Sequence, residues 1–283
     1  TRLVPCGERL LDLSRPRVMG ILNVTPDSFY DGGQLYRDQR VDVDAVLRRA
    51  EEMWRDGAAI LDVGGESTRP GAQQVSEAEE LDRVSSAVEA IAERLDIIIS
   101  VDSSNPAVMT ESARLGAGLL NDIRGFSRDG VLEAAAASGL AVCVMHMQGQ
   151  PDTMQANPAY VDLIADINNF FEERVRTLNL AGISQDRIIL DPGFGFGKTA
   201  EHNFHMLARL TELVYQDLPI LVGLSRKSMI SSVLERPTED RLFASLALAT
   251  MAVERGARIV RVHDVGATAD AIAMWHRMSQ SDT

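Results

Sequence analysis

Short apolar runs of strand length recur along the whole 283-residue chain, at 18–24, 59–63, 97–101, 118–120, 141–145, 188–190, 220–224 and 259–262. Between them lie longer stretches, among them 43–54, 78–95, 160–180 and 241–254, in which apolar residues return at helical spacing. Most of the short runs cannot reach helical length, and parallel strands need a long crossover that the intervening stretches can supply. Strand then helix, eight times without a break, predicts an α/β fold: a single (β/α)8 TIM barrel closed by right-handed crossovers. Nothing reads as a linker, a low-complexity tract or a repeat of fixed length, so one domain over 1–283 is expected. Residues 1–15 stand outside the repeat; 3–5 and 9–13 flank Gly7 and predict a short N-terminal hairpin capping the barrel floor. The alternative, an open doubly wound sheet, would place a Gly-rich phosphate turn after the first strand, where Asn23-Val24-Thr25-Pro26 stands instead.

Aromatic residues make up 5% of the chain, so the core should be built from Val, Ile, Leu, Ala and Met, which suits strands covered by helices. A formal net charge of −13 argues against a nucleic-acid partner and against an anionic membrane surface, since both need a basic face. Cys6 and Cys143 lie far apart and match no metal-ligand spacing, which reads as two reduced structural thiols. Thr1 to Leu13 has no long apolar run behind a basic segment, and no run reaches the length of a membrane span. A cytoplasmic location is expected.

In such a barrel the carboxyl ends of the strands share one face, and reactions take place there. The apolar runs give way at those ends to Asn23, Asp62, Asp102, Asn121 with Asp122, His146, Asp191, Ser225-Arg226-Lys227, and Arg261 with His263. One such residue is commonly a helix cap; eight coincident ends are not. Acids and amides come from the middle strands, and Arg and Lys from the second, seventh and eighth. Two subsites are therefore expected, one for the donor edge of a flat heterocycle and one basic cluster for an anion such as phosphate or pyrophosphate.

Two loops over that face, Thr25-Pro26-Asp27-Ser28-Phe29-Tyr30-Asp31-Gly32-Gly33 and Gly64-Gly65-Glu66-Ser67-Thr68-Arg69-Pro70-Gly71, read as candidate lids. Other motifs fail. Asp191-Pro192-Gly193-Phe194-Gly195-Phe196-Gly197-Lys198-Thr199 looks like a nucleotide phosphate loop, but Pro192 occupies its required first glycine; its glycines suit backbone approach to a flat ligand, beside Phe196. His202, His205 and His146 lack the carboxylate companions of a zinc site and read as structural.

Four blocks, in order, resemble the dihydropteroate synthases of the pterin-binding (β/α)8-barrel group. They are Met19-Gly20-Ile21-Leu22-Asn23-Val24-Thr25-Pro26-Asp27-Ser28-Phe29, Gly64-Gly65-Glu66-Ser67-Thr68-Arg69-Pro70-Gly71, 191–198, and Ser225-Arg226-Lys227-Ser228, with Arg261-Val262-His263 at the last strand. The resemblance runs from about Pro16 to Val265. It implies condensation of a dihydropterin pyrophosphate with p-aminobenzoate, with Asp102, Lys227, Arg261 and His263 as catalytic groups. It further implies a pterin site of Asp102, Asn121, Met145, Asp191, Lys227 and Arg261, the last stacking on the ring. Asn23, Arg69, Arg261 and His263 would surround the pyrophosphate, with Asn23 also a ligand of Mg2+. Phe29, Thr68, Pro70, Phe196, Lys227 and Ser228 would receive p-aminobenzoate, its carboxylate meeting the start of a helix.

Tyr30 stands where many relatives carry serine, and Ser103 where threonine is common. A rival reading keeps the pterin site but transfers a methyl group from folate to a corrinoid protein; that chemistry would not need Phe29 or Thr68-Arg69-Pro70. A non-catalytic pterin-binding descendant would be expected to lose lid or anion residues, and none is lost. The group is commonly dimeric, and Leu242, Leu246, Leu248, Met251 and Met274 could serve a homodimer interface or pack on the barrel.

Overall fold

In a computed structural model, described for residues 2–25, 36–37, 40–68, 72 and 74–281, the expected alternation becomes a barrel. The chain opens with β1 (Leu3–Cys6) and β2 (Arg9–Asp12), then β3 (Arg17–Asn23), a two-residue pair β4 (Tyr36–Arg37) and β5 (Arg40–Val41), and α1 (Val43–Arg55). Next come β6 (Ile60–Gly64), α2 (Glu77–Arg94), β7 (Ile98–Asp102), α3 (Pro106–Leu115), β8 (Leu119–Asp122), α4 (Val131–Ser138) and β9 (Ala141–Met145). The last third holds α5 (Leu163–Leu180), β10 (Ile188–Asp191), α6 (Ala200–Ala208), β11 (Leu221–Val222), α7 (Leu242–Glu254), β12 (Ile259–Val262) and α8 (Val265–Ser279).

Eight strands run parallel in the order β10-β9-β8-β7-β6-β3-β12-β11. A bridge between Leu190 and Ile220 joins the first to the last. Side chains alternate along each strand, so one set of residues points outward to the helices and the other into the barrel. The outward set, including Leu61, Val63, Ile99, Val101, Leu120, Val142, Val144, Leu190, Val260 and Val262, joins the helices in the larger core. At the inward, floor end, Met19, Ile60, Ile98, Leu119, Cys143, Ile189, Leu221 and Ile259 form a second core, and Val4, Cys6, Leu11 and Leu13 of the hairpin segment pack against it. The hairpin therefore seals the floor, as its sequence predicted. Gly118 makes this docking possible: a Cβ there would lie 2.7 Å from the Cys6 carbonyl oxygen.

Strand ends differ from the apolar runs in a consistent direction. The apolar residues of β7 stop at Val101 and those of β10 at Leu190, yet each ladder continues through the following aspartate, with Asp102 paired to Asn121 and Asp191 to Met145. The reverse holds at 220–224, where the ladder retains only Leu221 and Val222. The stretch predicted from residue 160 becomes helical at Leu163, because Asp162 caps it by accepting from the Ala165 N–H.

Candidate active site

Above the floor layer, most of the inward positions turn polar, with Met145 the apolar exception. Asp62 on β6, Asp102 on β7, Asn121 on β8, Met145 on β9, Asp191 on β10 and Arg261 on β12 each follow an inward floor residue by one or two pleats. A single cavity is lined by Thr68, Asp102, Asn121, Met145, Asp191, Phe196, Lys227 and Arg261, together with Ile123 and backbone of the 193–194 turn. Every described member of the expected pterin site is thus brought together.

Asp62 anchors the arrangement. Its Oδ2 accepts from Arg261 Nε at 2.7 Å and from Asn121 Nδ2 at 3.2 Å, and it is fully buried. Arg261 also reaches Asp102, Nη2 to Oδ2 at 3.4 Å. Burial foremost, then the Asp62 carboxylate, push Asp102 well above the usual carboxylate range against the pull of Arg261. Burial lifts Asp191 to about 6, although it accepts the Gly193 N–H at 2.8 Å and faces Lys227. Burial lowers Lys227 to about 8. Its Nζ donates to the Phe194 carbonyl at 3.0 Å and sits 4.6 Å above the centre of the Phe196 ring.

On the anion side, the described members of the expected cluster are Asn23, Arg261 and His263. His263 is neutral: burial, then Arg261, lower it to about 3. Its Nδ1 lies 2.9 Å from Ser225 Oγ. Arg261 is matched by Asp62 and Asp102, so among the described residues the cavity is charge-balanced rather than cationic. Arg226, read as part of the basic set, does not line the cavity. Held in the left-handed region at φ 55°, it pairs with both Asp264 oxygens at 2.9 Å and donates to the Thr238 and Glu239 carbonyls. The next residue, Lys227, does line it. Arg69, Phe29 and Pro70, expected at the pyrophosphate and p-aminobenzoate sites, lie outside the described residues, as does Tyr30.

Ser228 opens a five-residue 3-10 turn, Ser228–Ser232, rather than an α-helix. The expected helix dipole is correspondingly small, and a carboxylate arriving there would rely on individual backbone N–H groups. Asn23, at the last position of β3, faces the bare α-carbon of Gly64: a Cβ on Gly64 would lie 3.4 Å from Asn23 Oδ1 and 3.6 Å from Asp102 Oδ2. This glycine leaves space beside two side-chain oxygens, which fits a small hard cation that takes its other ligands from phosphate and water. No group of three or more His, Cys, Asp or Glu side chains able to hold a metal occurs among the described residues.

Below the second loop, Arg124 grips Glu66 with two hydrogen bonds, at 3.2 and 3.1 Å, and Arg83 donates to the Gly65 carbonyl at 3.2 Å. These struts and the Asp62 anchor were not assigned roles from the sequence. Asp62 left a signal there as a carboxylate inside an otherwise apolar strand, and Glu66 only as a member of the second loop. His202 caps α6 by accepting from the Thr199 N–H, in keeping with its structural reading.

The pterin binding enzyme family model matches residues 19–263. Dihydropteroate synthase from Escherichia coli (strain K12) is 55% identical over 262 residues, covering 93% of this chain and 91% of the relative. The relative of that name from Haemophilus influenzae is 50% identical over 269 residues, 95% of this chain and 96% of its own length. Yersinia pestis dihydropteroate synthase in a sulfonamide drug complex superposes with a TM-score of 0.94 at 51% identity, covering 98% of this chain and 99% of that one. The Burkholderia cenocepacia enzyme complexed with 7,8-dihydropteroate gives 0.88 at 44%, covering 100% and 99%. With a barrel of this topology and a polar cleft at its mouth, the chain belongs to the pterin-binding enzyme family, among its dihydropteroate synthases.

Proposed function

We propose that the chain condenses 6-hydroxymethyl-7,8-dihydropterin pyrophosphate with p-aminobenzoate, giving 7,8-dihydropteroate and pyrophosphate, as a transferase of folate biosynthesis. The observation that carries this reading is the convergence of Asp102, Asn121, Asp191, Lys227 and Arg261 on one cavity, in a chain 55% identical to a dihydropteroate synthase. That identity favours the synthase over the corrinoid methyltransferase.

The amide of Asn121 and the carboxylates of Asp102 and Asp191 suit the amino-substituted edge of a pterin, with Lys227 as a donor and Arg261 covering the ring. When pyrophosphate departs from the methylene carbon, positive charge spreads into the dihydropterin. Asp102, costly to ionise in the empty cavity, gains most from a cation developing beside it. The leaving oxygens gather charge near Asn23, Arg69, Arg261 and His263, where His263 serves as a neutral N–H donor. A magnesium ion beside Asn23 would neutralise part of that charge. The p-aminobenzoate amine, arriving along Phe29, Thr68, Pro70, Phe196, Lys227 and Ser228, then attacks the same carbon. A C–N bond replaces the C–O bond, the amine proton goes to solvent, and no covalent enzyme intermediate forms.

The chain acts as one barrel domain in this reading, and it works in the cytoplasm as a homodimer. No described helix is long and apolar enough to cross a membrane, and Cys6 and Cys143 are free and buried. For the dimer, Phe243 is 81% exposed and Met274 70% exposed on α7 and α8, and Met251 is also exposed. Leu248 packs inward and is no part of that face. Incubation with the dihydropterin pyrophosphate, magnesium and labelled p-aminobenzoate should give labelled dihydropteroate that disappears when any component is omitted. Absence of product from the complete mixture would refute the reading.

A further inference from the structure

The loop between β10 and α6 contains a buried cation that the proposed chemistry does not use. Lys198 is 1% exposed. Its Nζ lies 2.9 Å from each of the Gly193 carbonyl, the Phe196 carbonyl and His146 Nδ1, with the His146 carbonyl at 3.4 Å. Three ammonium protons thus meet three acceptors. The bond to Nδ1 makes that nitrogen an acceptor and puts the imidazole proton on Nε2. Burial lowers His146 to about 2, so the ring stays neutral; it lowers Lys198 as well, against the pull of Asp191, and the three acceptors around Nζ favour its protonated form. No substrate oxygen is needed to satisfy this lysine.

The loop wraps the ammonium closely. Gly193, Gly195 and Gly197 all adopt positive φ, at 75°, 80° and 62°. A Cβ on Gly193 would collide with the His146 carbonyl oxygen at 2.0 Å. From outside, Tyr160 donates its hydroxyl to the Gly197 carbonyl at 2.7 Å, and Gln155 accepts the Lys198 N–H at 3.1 Å while donating to the Lys198 carbonyl at 3.3 Å. The mouth-facing side of the same turn carries the Phe194 carbonyl that receives Lys227 and the Phe196 ring beneath it.

We propose that Lys198 is a positioning residue for the p-aminobenzoate subsite: its ammonium is the internal brace that sets where the 193–197 turn holds the Phe196 ring and the Phe194 carbonyl against Lys227. The effect is weighted toward that subsite: Asp191 takes one hydrogen bond from the turn, the Gly193 N–H at 2.8 Å, but both pterin carboxylates also have anchors outside the brace. Asp191 is fixed by its ladder with Met145 and by the His146 N–H that its carbonyl accepts at 2.9 Å, and Asp102 by its ladder with Asn121. Phe196 is held by the turn, and its carbonyl is one of the ammonium's direct partners.

This inference rests on the functional reading above. Lys198→Met keeps most of the chain volume and removes the charge and all three donors. With folding verified by circular dichroism, it should raise the Michaelis constant for p-aminobenzoate about tenfold and that for the dihydropterin pyrophosphate by less than about threefold. Should that variant not fold, Tyr160→Phe, which removes only the outer hydroxyl from the same turn, should raise the p-aminobenzoate constant about threefold and leave the other unchanged. A parallel rise in both constants, or no change in either in a folded variant, overturns the role. If the unsubstituted protein makes no dihydropteroate, the functional reading falls and takes this inference with it; normal turnover there with unselective variants sinks the inference alone.

Discussion

The inward faces of the strands make two layers a few ångströms apart that obey opposite rules. At the floor, Met19, Ile60, Ile98, Leu119, Ile189 and Ile259 meet the hairpin's Val4 and Leu11 in an apolar seal. One pleat further along, Asp62, Asn121, Asp191 and Arg261 occupy the same side of the same strands. The Asp62 carboxylate there keeps one oxygen, Oδ1, without a hydrogen-bond partner, and Asn121 Oδ1 is in the same state. Buried polar atoms left so cost stability. The difference teaches a division of labour within a single strand: the first half stabilises the barrel, and the second half holds polar groups at a cost, Asn121 among them at the cleft itself.

The sharpest way to break this comparison is to substitute each layer and ask which property moves. Asp102→Asn should lower turnover about a thousandfold, on the order of 4 kcal/mol, while the thermal midpoint holds or rises; near-normal turnover would remove Asp102 from the chemistry. Leu11→Ala at the floor should do the reverse, losing about 3 kcal/mol in urea denaturation with kcat of the folded protein intact. A large fall in kcat there would show that the two layers are not separable.

Asp191 sharpens the contrast through pH. Its folded value of about 6 lies above the ordinary 3.8. Below 3.8 both folded and unfolded forms are protonated and there is no penalty; as pH rises toward 6 the unfolded form releases the proton first and the native state loses stability. Asp191→Asn should therefore match the parent in acid and exceed it by about 2 kcal/mol above that window, measured as the difference between paired denaturation curves. A constant difference across the window would place the penalty elsewhere. Smallest, Lys227→Ala should raise both Michaelis constants about tenfold, since Lys227 lines the pterin cavity and lies over Phe196. A change confined to one substrate would divide the subsites differently.

The fold was legible because a parallel barrel writes its period into the chain: the eight apolar runs mark eight strands to within a residue or two, apart from 220–224. Strand ends were blurred where the ladder carries on into polar residues such as Asp102 and Asp191, which hydropathy counts as loop. Of the site, Asp102, Asn121, Asp191, Lys227 and Arg261 could be placed because strand ends share one face, and Met145 only through the family resemblance. What could not be read was how charges are spent. Arg261 and Asp62 are 199 positions apart, and nothing local shows that one neutralises the other. Arg226 looks as basic as Lys227 in the sequence, and only the Asp264 partner 38 positions away separates their duties. Lys198 likewise disguised a brace as part of a phosphate loop.

β11 has two residues, and the closure toward β10 rests on the bridge between Leu190 and Ile220, with the Leu190 N–H bonded to the Pro219 carbonyl at 2.9 Å. This seam is the thinnest stave of the cask, so when the native state opens without unfolding it should split here first, and amides along it should exchange deuterium ahead of those in β6 or β7. The segments bearing Lys198 and Lys227 hang from its two sides. Filling the cleft would then act as a hoop, slowing exchange along a seam whose own residues do not line the cleft.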